Sequence, residues 1–132
     1  MNNFFHTIIR FKKNLHFFVS GHHPLVGACA KKYYMIRLRP LFEKYRVAAY
    51  FSGHAHTLEI ELAKPGQPVT YFLSGAGSRM EERCLEQDWG VPDGVLGFIH
   101  STVNDTGMSY EYIDSTTLEP KVVYKGSIFP RP

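Results

Sequence analysis

Cysteine is scarce in this 132-residue chain: there are two, Cys29 and Cys84, with no C-x-x-C spacing. That argues against a disulfide framework and against a cysteine zinc site. No apolar run approaches the roughly 20 residues of a membrane-spanning helix. The run 15–19 is also too short for the core of a signal peptide, although basic residues precede it, so no leader is expected within the chain. Long stripes of one charge are missing as well. Fifteen Lys and Arg stand against 12 Asp and Glu, a net +3, and only Arg10-Phe11-Lys12-Lys13 and Lys31-Lys32 cluster. This is too diffuse for a nucleic-acid footprint, and no nucleic-acid partner is expected. Repeats and low-complexity tracts are absent. The remainder is an ordinary globular composition, 44% hydrophobic, sized for one domain that can bury a core. Asn104-Asp105-Thr106 fits a glycosylation sequon, but such triplets arise often by chance, and the compartment stays open.

The first segment, 1–14, mixes Phe4, Phe5, Ile8, Ile9 and Phe11 with Arg10, Lys12 and Lys13 in a ragged helical period, and an amphipathic helix is the expectation there. The runs 15–19 and 47–51 are nearly continuous in strand-forming apolar residues, as for strands covered on both faces. Between them, Tyr34, Met35, Leu38, Leu41, Phe42 and Tyr45 follow a three-and-four spacing. This predicts a helix or a helix pair in which Pro40, lacking an amide proton, kinks the helix or begins its second part. Strand, helical crossover and strand make a βαβ unit. Downstream, the alternation Leu58-Glu59-Ile60-Glu61-Leu62, the turn Pro65-Gly66-Gln67-Pro68 and the run 69–73 read as a hairpin. The alternation puts Glu59 and Glu61 on a solvated face. Ser74-Gly75-Ala76-Gly77-Ser78 reads as a flexible loop and 79–92 as irregular. Strands at 94–102, 108–113 and 121–125 complete a largely antiparallel second half.

Gly21-His22-His23-Pro24 follows the first apolar strand, and Gly53-His54-Ala55-His56 follows the second. In a βαβ unit both loops leave one edge of the sheet, where ligands and metals bind. Glycine lets the backbone turn tightly, and alternate histidines can aim two rings into one concavity. Neutral imidazoles favour transition-metal ions of the zinc, iron and manganese class. For His6, His16 and His100 the simpler reading holds, a packed or surface side chain on or beside a strand. Glu81, Glu82 and Glu86 read as a solvated loop, and Asp88 and Asp93 as surface acids.

Taken together, Val19-Ser20-Gly21-His22-His23-Pro24, Leu38-Arg39-Pro40-Leu41-Phe42, Ala49-Tyr50-Phe51-Ser52-Gly53-His54-Ala55-His56, Phe72-Leu73-Ser74-Gly75-Ala76-Gly77 and Val91-Pro92-Asp93-Gly94 resemble the purple acid phosphatases of the tartrate-resistant type, within the calcineurin-like metallophosphoesterase superfamily. The resemblance runs over 15–132. It implies an α/β fold: part of a metallophosphoesterase α/β/β/α sandwich, with the βαβ unit followed by mostly antiparallel strands, as the carboxyl-terminal half of that domain. It also implies a binuclear centre of iron plus a divalent metal (iron, zinc or manganese) that acts on a phosphate monoester. His22 and His54 then bind the divalent ion and His56 the iron, while His23 lies in the next layer or faces substrate.

The sequence departs from that pattern in three ways. The family's amino-terminal half carries Asp-x-Gly and Gly-Asp-x-x-Tyr motifs, with the carboxylates that neutralise two ions, and a Gly-Asn-His motif with a further histidine; no Asp-x-Gly precedes the first histidine loop here, and the other two motifs are absent. Ala55 stands where an acidic or amide residue is common, and the loop between Pro24 and Lys31 is short and lacks a histidine. Two functional expectations follow. One is a metal-dependent acid phosphatase segment, inactive without a missing amino-terminal half. The other is a non-catalytic metal-binding or protein-interaction fragment.

Overall fold

The computed structural model describes residues 8–9 (backbone only), 17–26, 35–79, 89–91 and 95–130. Strands β1 (Ile8–Ile9), β2 (Phe17–Ser20), β3 (Val47–Ser52), β4 (Leu58–Glu61), β5 (Thr70–Ser74) and β6 (Trp89–Gly90) build one sheet in the order β1-β2-β3-β5-β4-β6. Strands β7 (Gly97–Asn104), β8 (Gly107–Asp114) and β9 (Lys121–Ile128) form a second, antiparallel sheet. The crossover between β2 and β3 includes a 3-10 turn, Met35–Leu38, and helix α1, Arg39–Lys44. Pro40 sits in the first turn of α1, where its missing donor costs nothing. β2, β3 and β5 are mutually parallel, and β4 returns antiparallel to β5. This is the α/β fold expected, a βαβ unit followed by antiparallel strands.

Two cores sandwich the larger sheet. Leu25, Phe42, Val47, Tyr50, Tyr71 and Leu73 pack on the helix side, whereas Phe18, Ala49, Leu58, Ile60, Phe72, Tyr110 and Tyr112 fill the space between the sheets. Tyr71, Phe72 and Leu73 alternate between these cores, as successive strand residues must. Each such side chain contributes roughly 1.5–3 kcal/mol on burial. Phe51 stacks on its register partner Phe72 within the larger sheet at 4.7 Å, and Trp89 of β6 stacks on Tyr124 of β9 at 4.5 Å, joining the two sheets.

Several expectations are corrected. Ile8–Ile9 is a short strand on the edge of β2 and not part of a helix, because pairing there satisfies the backbone groups of β2; the rest of 1–14 lies outside the described residues. Glu59 and Glu61 are buried, at 0% and 4% exposure. Leu58 and Ile60 of β4 face the core between the sheets, while Glu59 and Glu61 lie beside their register partners Leu73 and Tyr71 of the helix-side core, so both faces of β4 are covered and the alternation does not mark a solvated side. Glu61 pairs with Lys64 at 3.3 Å. The loop after β5 is packed, with Ala76 fully buried and its carbonyl bonded by the Gly97 amide. The sequon asparagine shapes a turn. Asn104 Oδ1 accepts from the Thr106 amide, the Thr106 hydroxyl and the Gly107 amide, tying together the connection between β7 and β8. The cysteines, His6, His16, Glu81, Glu82, Glu86, Asp88 and Asp93 lie outside the described residues.

Candidate metal centre

Because β2, β3 and β5 run parallel, the loops that follow them emerge at one sheet edge. Backbone hydrogen bonds lace them together. The Gly21 amide donates to the Phe51 carbonyl at 3.0 Å, the Gly53 amide to the His22 carbonyl at 3.1 Å, and the Gly75 amide to the Thr57 carbonyl at 3.0 Å. At two of these positions glycine is a steric requirement: a Cβ on Gly75 would run into the Ala55 carbonyl oxygen, and one on Gly21 into the Tyr50 hydroxyl. His54 holds a left-handed backbone, φ 64°. That conformation costs a residue with a Cβ about 1–2 kcal/mol and persists where the surroundings enforce it.

These constraints gather three imidazoles. One ring nitrogen each from His22, His23 and His54 lies within 4.8 Å of the others. His54 Nδ1 is 3.0 Å from His22 Nε2, and the His23 and His54 ring centroids are 4.2 Å apart. His22 and His54 are exposed and His23 is half-buried. At this separation two neutral rings can share one proton, one donating and the other accepting. Among the described residues no carboxylate belongs to the cluster, so the donor set is purely nitrogen, a set suited to a transition-metal ion. His56 is half-buried and is not one of the three converging rings. Residues two apart share a face only in extended chain, and the left-handed turn at His54 breaks that relation.

Tyr50 underlies the cluster and escaped the sequence reading. Its hydroxyl donates to the His23 carbonyl at 2.8 Å, fixing the first loop from below, and its ring packs on Phe42 and Tyr71. Burial, with a smaller contribution from Tyr71, pushes its pKa up to about 12, so the phenol remains a donor at ordinary pH. A tyrosine in an apolar strand reads as core filling. Its second role becomes visible only once the neighbouring loop is in place.

No family model matches the chain. Solved structures share its fold. GAP50, the anchor in the inner membrane complex of Plasmodium, superposes with a TM-score of 0.74 at 14% identity, covering 100% of this chain and 56% of that one. Vps29 of Entamoeba histolytica, solved with Zn2+, gives 0.58 at 13% identity, covering 92% and 59%. The chain thus shares its α/β fold with these two proteins. In sequence, the chain is 35% identical over 109 residues to tartrate-resistant acid phosphatase type 5 of Oryctolagus cuniculus and 34% identical over 109 residues to that of Homo sapiens. Each match covers 80% of this chain. The Mus musculus protein is 30% identical over 127 residues. The chain is therefore a relative of the tartrate-resistant acid phosphatases. It spans only about a third of their length, 32% of the first two. Among the described residues no helix is long and apolar enough to cross a membrane.

Proposed function

We propose that this chain supplies the histidine side of a metal-dependent site that hydrolyses phosphate monoesters, the acid phosphatase activity named in its relatives. The observation that carries the reading is the 3.0 Å approach of His54 Nδ1 to His22 Nε2 between two loops at one sheet edge. His22 and His54 would hold a divalent metal (iron, zinc or manganese) and His56 an accompanying iron, with His23 in the next layer or facing substrate. When bound, such a pair of ions polarises a phosphoryl group and makes water nucleophilic near neutral pH. The chain's own part is to offer neutral imidazoles on loops that Gly53 and Gly75 hold close and that the Tyr50 hydroxyl supports. Residues 15–132 form one unit in this reading, the carboxyl-terminal half of a metallophosphoesterase domain. Two ions need neutralising carboxylates, and none joins the cluster among the described residues. Turnover accordingly requires further chain of the kind the relatives carry. This chain alone should leave an aryl phosphate intact, and co-expression with the unmatched segment of the Homo sapiens relative should restore hydrolysis with two metals per complex. Turnover by this chain alone, or none in the complex, would sink the proposal.

A second reading is favoured by the membership of the cluster. His22, His23 and His54 converge without His56, and three imidazoles suit a single zinc. The chain would then be a non-catalytic metal-binding module. One zinc bound per chain, lost in His23→Ala and kept in His56→Ala, would identify this case.

A further inference from the structure

The connection between β7 and β8 carries a motif that the metal site does not use, the sequon Asn104-Asp105-Thr106. Asn104 and Gly107 form the last register pair of the two strands, so Asp105 and Thr106 alone turn the chain, and all of 104–106 is exposed. The triplet by itself says nothing of access; the fold supplies it. The turn is also held in one geometry. Asn104 Oδ1 accepts from the Thr106 hydroxyl at 2.7 Å, the Thr106 amide at 2.8 Å and the Gly107 amide at 3.1 Å. The third residue of the sequon is thus already paired with the first, and the carboxamide is fixed through its oxygen alone. Its nitrogen, the atom to which a sugar is joined, donates to no described residue.

A second observation lies beside the turn. Phe129, just past β9, is 71% exposed, and a ring in water is unfavourable apolar area. It lines a cleft of about 100 Å3 together with Asn104, Thr106 and Ser127. Gly107 lies between them: a Cβ built there would stand 3.5 Å from Phe129 Cδ1, so the ring flanks a position with no side chain, next to Asn104 across the ladder. A pyranose on Asn104 has a C–H face that can cover such a ring, and the glycine leaves its path open.

We propose that Asn104 is the acceptor of an N-linked glycan whose first sugar seats on Phe129. The donor is an oligosaccharide linked to a lipid diphosphate. Asn104 Nδ2 attacks its anomeric carbon: the C–N bond forms as the C–O bond to the diphosphate breaks, the bonding pair leaves with the diphosphate, and the nitrogen gives one proton to a base of the transferase. Asp105, not being proline, satisfies the middle position of the sequon. The product is bulky and hydrated, which only a surface turn accommodates. The inference goes beyond the phosphatase reading and does not depend on it, since none of Asn104, Thr106 and Phe129 belongs to the histidine cluster.

The test is translation of the full chain behind a cleavable leader in the presence of microsomes, followed by secretion from cultured animal cells. A glycosidase-sensitive rise in apparent mass is expected, and mass spectrometry of the glycopeptide should place the sugar on Asn104. Asn104→Asp, which keeps the accepting oxygens of the turn, and Thr106→Ala should each abolish the modification, whereas Thr106→Ser should keep it. Phe129→Ala should leave occupancy unchanged. In the secreted wild type the proton signals of the first sugar should be displaced upfield by the ring, and that displacement should vanish in Phe129→Ala. Microsomal transfer is read on the translocated chain before any purification, so a variant that folds poorly still gives a result. A translocated wild-type chain with Asn104 unmodified would overturn the proposal, as would a shift that survives Asn104→Asp. Sugar signals identical with and without Phe129 would overturn the seating on the ring.

Discussion

His54 and His100 are both exposed histidines, yet the chain treats them differently. His100 stands in the middle of β7, where the register sets Glu111 opposite it and the two side chains meet at 3.8 Å. A strand dictates its side chains' neighbours, and here the neighbour is an exposed acid that gives an ordinary surface pair. His54 sits in a loop whose left-handed backbone is free of any ladder, and its ring can be aimed at His22. Ring convergence thus needs departure from regular structure, and the parallel strands supply the rigid platform for it. The sheets differ in the same sense. The larger sheet is packed on both faces, whereas the smaller exposes Phe98, Val122 and Val123 to solvent.

The largest effect should come from the layer between the sheets. Tyr112→Ala removes a fully buried ring whose hydroxyl bonds the Glu59 carbonyl, and should cost about 3–5 kcal/mol in denaturant unfolding. Val123→Thr on the exposed sheet should stay within about 0.5 kcal/mol; equal losses would erase the contrast. Gly75→Ala forces a methyl against the Ala55 carbonyl and should cost about 1–3 kcal/mol while weakening metal binding, which calorimetry with zinc would read. His22→Ala should lower zinc affinity about tenfold or more and His100→Ala should leave it unchanged; equal behaviour would dissolve the distinction between loop and strand histidines. Tyr50→Phe should cost about 1 kcal/mol, since the His23 carbonyl loses its donor. The pH dependence of Tyr50 sharpens this. With its pKa raised from 10.0 to about 12 in the fold, its contribution is intact below pH 10 and lost as pH rises towards 12. Wild type should therefore lose more stability than Tyr50→Phe across that window.

Both histidine loops, the strands that carry them and the hairpin grammar of the second half were legible because each is written in adjacent residues. Pro40 marks its own position in the crossover for the same reason. The burial of Glu59 and Glu61 was not legible. Alternation reports the pleat of one strand, and whether the polar face meets water depends on what lies beyond it, here the helix-side core flanking β4. The place of Tyr50 beneath His23 depends likewise on a residue 27 positions away.

By itself the sequence determined the order of strands and turns, the two glycine-histidine motifs and their kinship with acid phosphatases, since period, turn chemistry and motif spacing are local properties. Tertiary structure alone decided that His23 joins His22 and His54 in a cluster that does not include His56, and that Gly75 must lack a side chain. Those outcomes depend on a left-handed turn and on backbones from distant strands meeting within van der Waals contact, and no local pattern encodes such distances.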